Sequence, residues 1–333
     1  LDHGVQHLGL EGDADALTVL AMLTLESAAD LHAAQTALDT LLNVADDLGI
    51  DVAIFKGMAI GSRWYDDPSL RPAYDIDIFV APEQLDRMGE LAAHFDPAPG
   101  TEQAISAMVK ENRVFEHTVS IDGFDVDIHR DPMNLTLESR LLGDIWVTAE
   151  PIELPNGTVV RMLNLEWSLI QALLHLFRDN FADLLHIYDV ALMLDADPDW
   201  GAVAAYVERE GWTDLIRFSL GYVCDVLGRT SPLPTVISPQ SRMLITTVWP
   251  RRLRLQGHDS VARAYRRQSL TGILVRGRRL ETVRPLALRV FPPRSVIDHR
   301  STATSDPYIV ALYRWRRAQH RQARAARAPD RRP

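Results

Sequence analysis

Between Asp51 and Val80 two short apolar runs bracket a polar, turn-rich segment, and this pattern restricts the folds open to the chain. Val52 to Phe55 stops at Lys56-Gly57, while Ile76 to Val80 carries Asp77 within it and Asp75 just before it. Short apolar runs bounded by Gly, Pro, Ser and Asp read as buried strands. Residues i and i+2 of a strand share a face, so Asp75 and Asp77 stand side by side while Ile76 and Ile78 turn to the core. Paired hard oxygen ligands of this kind suit a divalent cation that carries phosphates.

The flanking segments supply the rest of a mixed architecture. Apolar residues recur at helical spacing from Ala14 to Leu48, and Gly49 stands where a helix C-cap belongs. A short helix is expected over Met58 to Tyr65, ended by Asp67-Pro68-Ser69, and another over Pro82 to Phe95, with proline in its first turn. Asp122-Gly123 joins two strand patterns, His117–Ile121 and Phe124–His129, as a hairpin. In the second of these, Asp125, Asp127 and His129 alternate with Phe124, Val126 and Ile128, which brings a third carboxylate to a polar face. Ile152 to Val160, around Asn156-Gly157, reads as another hairpin. Strand signals then give way to helical spacing over Leu165–Leu194 and Trp200–Leu227.

Composition removes several function classes. A lone cysteine, Cys224, allows neither a disulfide nor a thiolate metal site and points to a reducing, cytoplasmic compartment. Nothing in the chain resembles a membrane span or a secretory leader. The net charge of −10 is unevenly spread: from Arg251 to Pro333 there are 21 arginines and no lysine against five acids. A basic end on an acidic body fits nucleic acid, an anionic membrane surface, a nucleotide's phosphates, or simply packing against the acidic part. Apolar residues among Arg251 to Arg267 favour packed helix up to about Trp315, with a basic, disordered tail over 319–333.

Lys56-Gly57, then Tyr65, Pro68, Arg71 and Asp75-Ile76-Asp77, followed by Val126-Asp127-Ile128-His129, resemble the nucleotidyltransferase superfamily built on a DNA polymerase beta-type palm. More narrowly they resemble its bacterial, uncharacterised nucleotidyltransferase family, with the type IV toxin nucleotidyltransferases as more distant relatives. The resemblance runs from Leu38 to Arg130 and, more weakly, over Leu163 to Leu194. It implies an α+β fold: a small mixed sheet flanked by helices, followed by a mainly helical C-terminal region. The corresponding division is 1–36 as an N-terminal helical segment, 37–160 as the palm, 161–318 as the helical domain and 319–333 as the tail.

The same resemblance implies roles. Asp75, Asp77 and Asp127 would hold Mg²⁺ or Mn²⁺ and act as the catalytic carboxylates. Lys56, Gly57, Arg71 and His129 would bind the NTP co-substrate, and an NMP would pass to an acceptor such as a small molecule, a peptide or tRNA by two-metal, in-line displacement. Two positions compete for the phosphate-binding turn. Gly61-Ser62 better fits the family's spacing to the Asp pair, whereas Gly57 lies at the strand-to-helix turn, where free backbone N–H groups face outward. Arg71 either binds phosphate or braces the loop by pairing with a carboxylate, and His129 either acts in the chemistry or orients Asp127. A binding module that keeps the fold without turnover, and holds nucleic acid or a protein through the basic region, is the alternative.

Overall fold

The computed structural model describes residues 14–239, apart from 98–99, 111–115, 134–138, 180 and 182. The expectations for the arginine-rich segment and for the extreme N-terminus lie outside the described residues. Helix α1 spans Ala14–Leu48 and β1 Val52–Phe55; α2 is Gly57–Trp64 and β2 Ile76–Val80. After them come α3 (Met88–Phe95), α4 (Thr101–Lys110), β3 (Glu116–Ile121), β4 (Phe124–His129), α5 (Leu142–Val147), β5 (Glu150–Glu153) and β6 (Val159–Met162). Four helices close the described chain: α6 (Leu165–Arg178), α7 (Leu184–Asp195), α8 (Trp200–Glu210) and α9 (Thr213–Val226).

The strands form one mixed sheet in the order β3-β4-β2-β1-β6-β5. β2 runs antiparallel to β1 and parallel to β4, and β1 runs parallel to β6. Every residue of β1 and β2 is buried, so both faces of the sheet's centre are covered. On one face Ile54, Ile76, Ile78, Val126 and Ile128 pack with Leu38 and Leu41 of α1, Met88 and Leu91 of α3 and Ile105 of α4. On the other, Ala53, Phe55 and Phe79 join a cluster with Trp167, Leu173, Val207 and Ile216 from α6, α8 and α9. This second face is also the one onto which Asp77 projects, since it alternates with Ile76 and Ile78.

Local departures from the expected elements have local causes. The segment from Pro82 to Phe95 is a 3-10 helix over Pro82–Arg87 before it becomes α3. Its residues close the open end of α1: the Arg87 guanidinium donates to the carbonyls of Leu48 and Gly49, and the Gln84 amide donates to Gly49 O and accepts from Asp51 N. The hairpin at Asp122-Gly123 has φ of 53° and 84°, the paired positive values that a two-residue turn between twisted strands requires. The long helical pattern after Leu165 is broken at 179–183, where Asp183 caps α7 by accepting from Leu185 N. The break before α9 is Gly211, at φ 74°.

Helices α3 and α4 meet at Gly89, where an added Cβ would stand 2.5 Å from both Glu102 O and Ser106 Oγ. Glycine inside a helix ordinarily costs about 0.5–1 kcal/mol relative to alanine. Gly89→Ala is therefore expected to reverse that sign and destabilise the protein by about 1–3 kcal/mol in urea unfolding, because backbone stands in the way. A neutral or stabilising effect would mean that the two helices are free to separate.

Candidate functional site

Strand register assembles the site. Phe55 pairs with Asp77 across β1 and β2, so the chain leaving β1 places Lys56 beside the start of β2. The parallel register sets Asp77 against Asp127 and Phe79 against His129. Side chains alternate along β4, which brings Asp127 and His129 to the face that carries Asp77. Ligand atoms of Asp77, Asp127 and His129 all lie within 4.8 Å of one another. Asp75, two residues before Asp77 and just outside β2, opens to solvent and stands outside that group of three.

Asp77 is held tightly. Lys56 Nζ lies 2.5 Å from its Oδ1, and His129 Nε2 lies 2.7 Å from the same oxygen. Burial alone would raise the pKa of this carboxyl, but Lys56 and the His129 hydrogen bond outweigh it and bring it down to about 2. An ionised carboxylate only accepts, so His129 Nε2 carries the proton of that bond. The ring of His129 is itself fixed, packed edge-on against Phe55 at 4.9 Å between centroids, with Nδ1 3.7 Å from Glu116 Oε2. Asp127 is half-buried, and Thr118 Oγ1 on the neighbouring strand donates to its Oδ1.

Asp75 has the opposite character. Neighbouring protein partly strips its water although it keeps solvent contact, and the charges of Asp77 and Asp127 add to that effect against the pull of Lys56, so its pKa rises to about 6. Crowded carboxylates of this kind lack positive charge, which is what a divalent cation supplies.

A cleft opens in front of these groups, bounded on one side by Lys56, Gly57, Asp75 and Asp127 and on the other by Gln171 and His175 of α6. Gly57 lies at the β1–α2 turn within this cleft. Gly61 is buried inside α2, where a Cβ would come within 3.0 Å of the Arg71 stem. Arg71 also lines the cleft, with its guanidinium in a buried bidentate pair: Nε and Nη2 each donate to Asp189 at 2.9 Å. Tyr65 Oη donates to the same Asp189 at 2.8 Å, and burial together with that negative charge pushes the phenol well above its ordinary pKa.

The far wall was not legible as a site in the sequence. Gln171, His175 and Arg178 lie at i, i+4 and i+7 of α6, opposite its apolar stripe, a spacing that marks a common face without saying what the face meets. Gln171 is a buried polar residue that lines the cleft. His175, Asp179 and His186 come within 4.8 Å of one another, as a cation site would require. Arg178 Nη2, however, lies 2.6 Å from His175 Nδ1 and must donate there. The ring proton is then on Nε2, facing Asp179 at 3.1 Å, and neither nitrogen keeps a lone pair for a metal. Burial, with Arg178 and Lys56 nearby, holds the His175 pKa well below its usual value.

Residues 3–228 match a protein-family model described as uncharacterised nucleotidyltransferase. Among solved structures, an antigenic nucleotidyltransferase-like protein from Paracoccidioides brasiliensis is similar at 16 % identity and a TM-score of 0.32, over 56 % of this chain and 92 % of that one. No curated protein matches the chain. No helix among the described residues is long and apolar enough to cross a membrane.

The raised pKa of Asp75 has a stability consequence with a definite sign. A carboxyl whose folded pKa lies above its unfolded value of 3.8 destabilises the fold when ionised, fully above about pH 6 and not at all below 3.8. In chelator-treated protein, Asp75→Asn is expected to raise the Tm at pH 7, and the gain is expected to shrink as pH falls through 6 towards 4. Melts recorded across that range check it; a difference independent of pH would remove the crowded-carboxylate account.

Proposed function

The chain belongs to the uncharacterised nucleotidyltransferase family, and from that premise we propose that it moves an NMP from an NTP to an acceptor hydroxyl, phosphate or similar group. The observation that carries this reading is the in-register pair Asp77 and Asp127 on adjacent parallel strands, facing a cleft with the Lys56-Gly57 turn at its edge. Fold membership alone would not require those carboxylates to converge on open space.

The donor set fits a hard divalent cation, Mg²⁺ or Mn²⁺. Asp75, Asp77 and Asp127 offer carboxylate oxygens, the second oxygen of Asp77 has no protein partner among the described residues, and partial loss of water together with the charges of Asp77 and Asp127 raises the Asp75 pKa to about 6. When bound, the cation supplies charge neutralisation to the triphosphate and polarises the attacking and leaving oxygens. The chain's own residues do the positioning. Thr118 fixes the rotamer of Asp127, which stands at the open side of the group and takes the acceptor's proton. The N-terminus of α2 at Gly57 offers backbone N–H groups to phosphate oxygens. Arg71, locked by Asp189, is the strut behind that turn: its Nη1 lies 3.6 Å from the position of a Gly57 Cβ and its stem fills the space beside Gly61. Transfer of this type needs little covalent help from the protein, so a rigid turn and fixed carboxylates account for most of what the fold contributes.

Incubation with each labelled NTP, Mg²⁺ and candidate acceptors, with pyrophosphate as the readout, tests the reading. Asp127→Asn is the informative variant, since Asp77 is entangled with Lys56 and His129 and its loss would also disturb folding. Asp127→Asn is expected to keep the wild-type Tm within a few degrees and to lose roughly 10²–10³-fold in turnover. Undiminished turnover in that variant, or no pyrophosphate from any NTP, would remove the proposal. A tRNA acceptor is expected to give steeply salt-dependent turnover through the 21 arginines after residue 250, and a small acceptor is not.

A further inference from the structure

Lys56 occupies an unusual position for a phosphate-binding lysine. Its ammonium is committed to Asp77, 2.5 Å away, with 15 % of the lysine side chain and 3 % of the aspartate side chain exposed. His129 Nε2 donates to the same Asp77 oxygen, so one oxygen receives two donors, the other has no protein partner among the described residues, and Asp77 lines the cleft. The backbone of Lys56 has φ 60° and ψ −141°, a conformation that costs a residue with a side chain and that persists where surrounding structure enforces it. It links Phe55, the residue paired with Asp77, to Gly57, the first residue of α2. The ammonium therefore stands between the metal-type carboxylates and the turn proposed to hold phosphates.

A divalent cation at Asp77 and an ammonium on the same carboxylate repel one another at close range, and in so enclosed a place water screens them little. Expelling the ammonium without giving it another anion leaves a partly buried lysine uncompensated. The triphosphate is such an anion, delivered beside it. We infer that Lys56 is an exchangeable counter-ion: it neutralises Asp77 in the metal-free site and passes to the phosphates of the incoming nucleotide when a divalent cation takes Asp77. The four-carbon stem makes this a change of rotamers rather than of backbone. Cation and nucleotide then bind as coupled ligands, each raising the affinity for the other, and the site resists loading with metal alone. This rests on the nucleotidyltransferase reading above and adds the order in which its site is assembled.

The test follows binding of Mn²⁺ alone to the full chain, by the resonance of the free ion, together with thermal unfolding with and without an NTP analogue whose α–β bridge is methylene. Wild type is expected to bind Mn²⁺ weakly on its own, with a small Tm shift, and to show a much larger shift with analogue and Mn²⁺ together. Lys56→Met is expected to bind Mn²⁺ alone more tightly by roughly 5–150-fold, the usual range of a coupling between sites, and to bind the analogue less well. Lys56→Gly removes the amine while relieving the positive φ, and must shift Mn²⁺ affinity in the same direction. Variants that unfold in chelator and recover with Mn²⁺ would also support the exchange, since the cation then replaces the lysine. Mn²⁺ affinity unchanged in both variants, or unfolding that Mn²⁺ does not reverse, overturns it. The underlying reading fails separately: there, Asp127→Asn binds Mn²⁺ as wild type does and no protein binds the analogue.

Discussion

A carboxylate in the middle of a buried sheet sets the terms for everything around Asp77. Removing an ion from water costs several kcal/mol even after relaxation, and only close partners restore it. The partners come from two different strand ends. Lys56 is one residue beyond β1, and His129 is the last residue of β4, two positions on from the register partner of Asp77. Both contacts follow from strand pairing, so a one-residue slip of either strand would turn the polar set into the apolar core and leave Asp77 unpaired. The charge thus helps to specify the register that positions it.

The sheet's two faces divide the work. Beneath, α1, α3 and α4 cover Ile54, Ile76 and Ile78 with apolar side chains. Above, the covering helices must both exclude water from Phe55 and Phe79 and leave an opening over Asp127. Arg71 and Asp189 reconcile these needs. Their bidentate pair, with Tyr65 on the same carboxylate, joins the loop before β2 to α7 across 118 residues of sequence. Removing one partner of a buried pair typically costs about 3–5 kcal/mol, so this contact fixes where α7 sits relative to the Lys56-Gly57 turn. The arginine's stem and Gly61 fit together for the same reason, which explains a helical glycine that sequence spacing alone could assign to phosphate binding.

Much of this was legible from residues close in sequence. Alternation gave β2 and β4 and the shared face of Asp127 and His129; Asp122-Gly123 and Asn156-Gly157 gave the hairpins; the spacing of Leu38 and Leu41 gave α1. Helix α4 escaped although half of Thr101 to Lys110 is apolar, because ten residues are a short window for a helical period and the contact that gives the helix its place, Gly89 of α3, lies on another element. The partner of Arg71 was open for a related reason. A guanidinium fits any carboxylate, and nothing local selects Asp189. Gln171, His175 and Arg178 look like the solvent face of an amphipathic helix, and only the packing of α6 over the sheet turns that face towards Asp77.

The two members of the Asp-x-Asp pair illustrate how one pattern yields unlike groups. Same-face geometry made Asp75 and Asp77 look equivalent, yet Asp77 is enclosed, cation-bound and held at a pKa of about 2, while Asp75 meets solvent and is driven up to about 6. Strand position separates them. Asp77 lies within β2, where Lys56 and His129 both donate to it; Asp75 precedes the strand, loses part of its water and feels the charges of Asp77 and Asp127 without such donors. Electrostatically the cheaper carboxylate to ionise is the buried one, against the usual expectation that burial favours the neutral form. The exposed member is consequently the one whose charge is least tolerated in the metal-free protein, and so the one that gains most when positive charge enters the cleft.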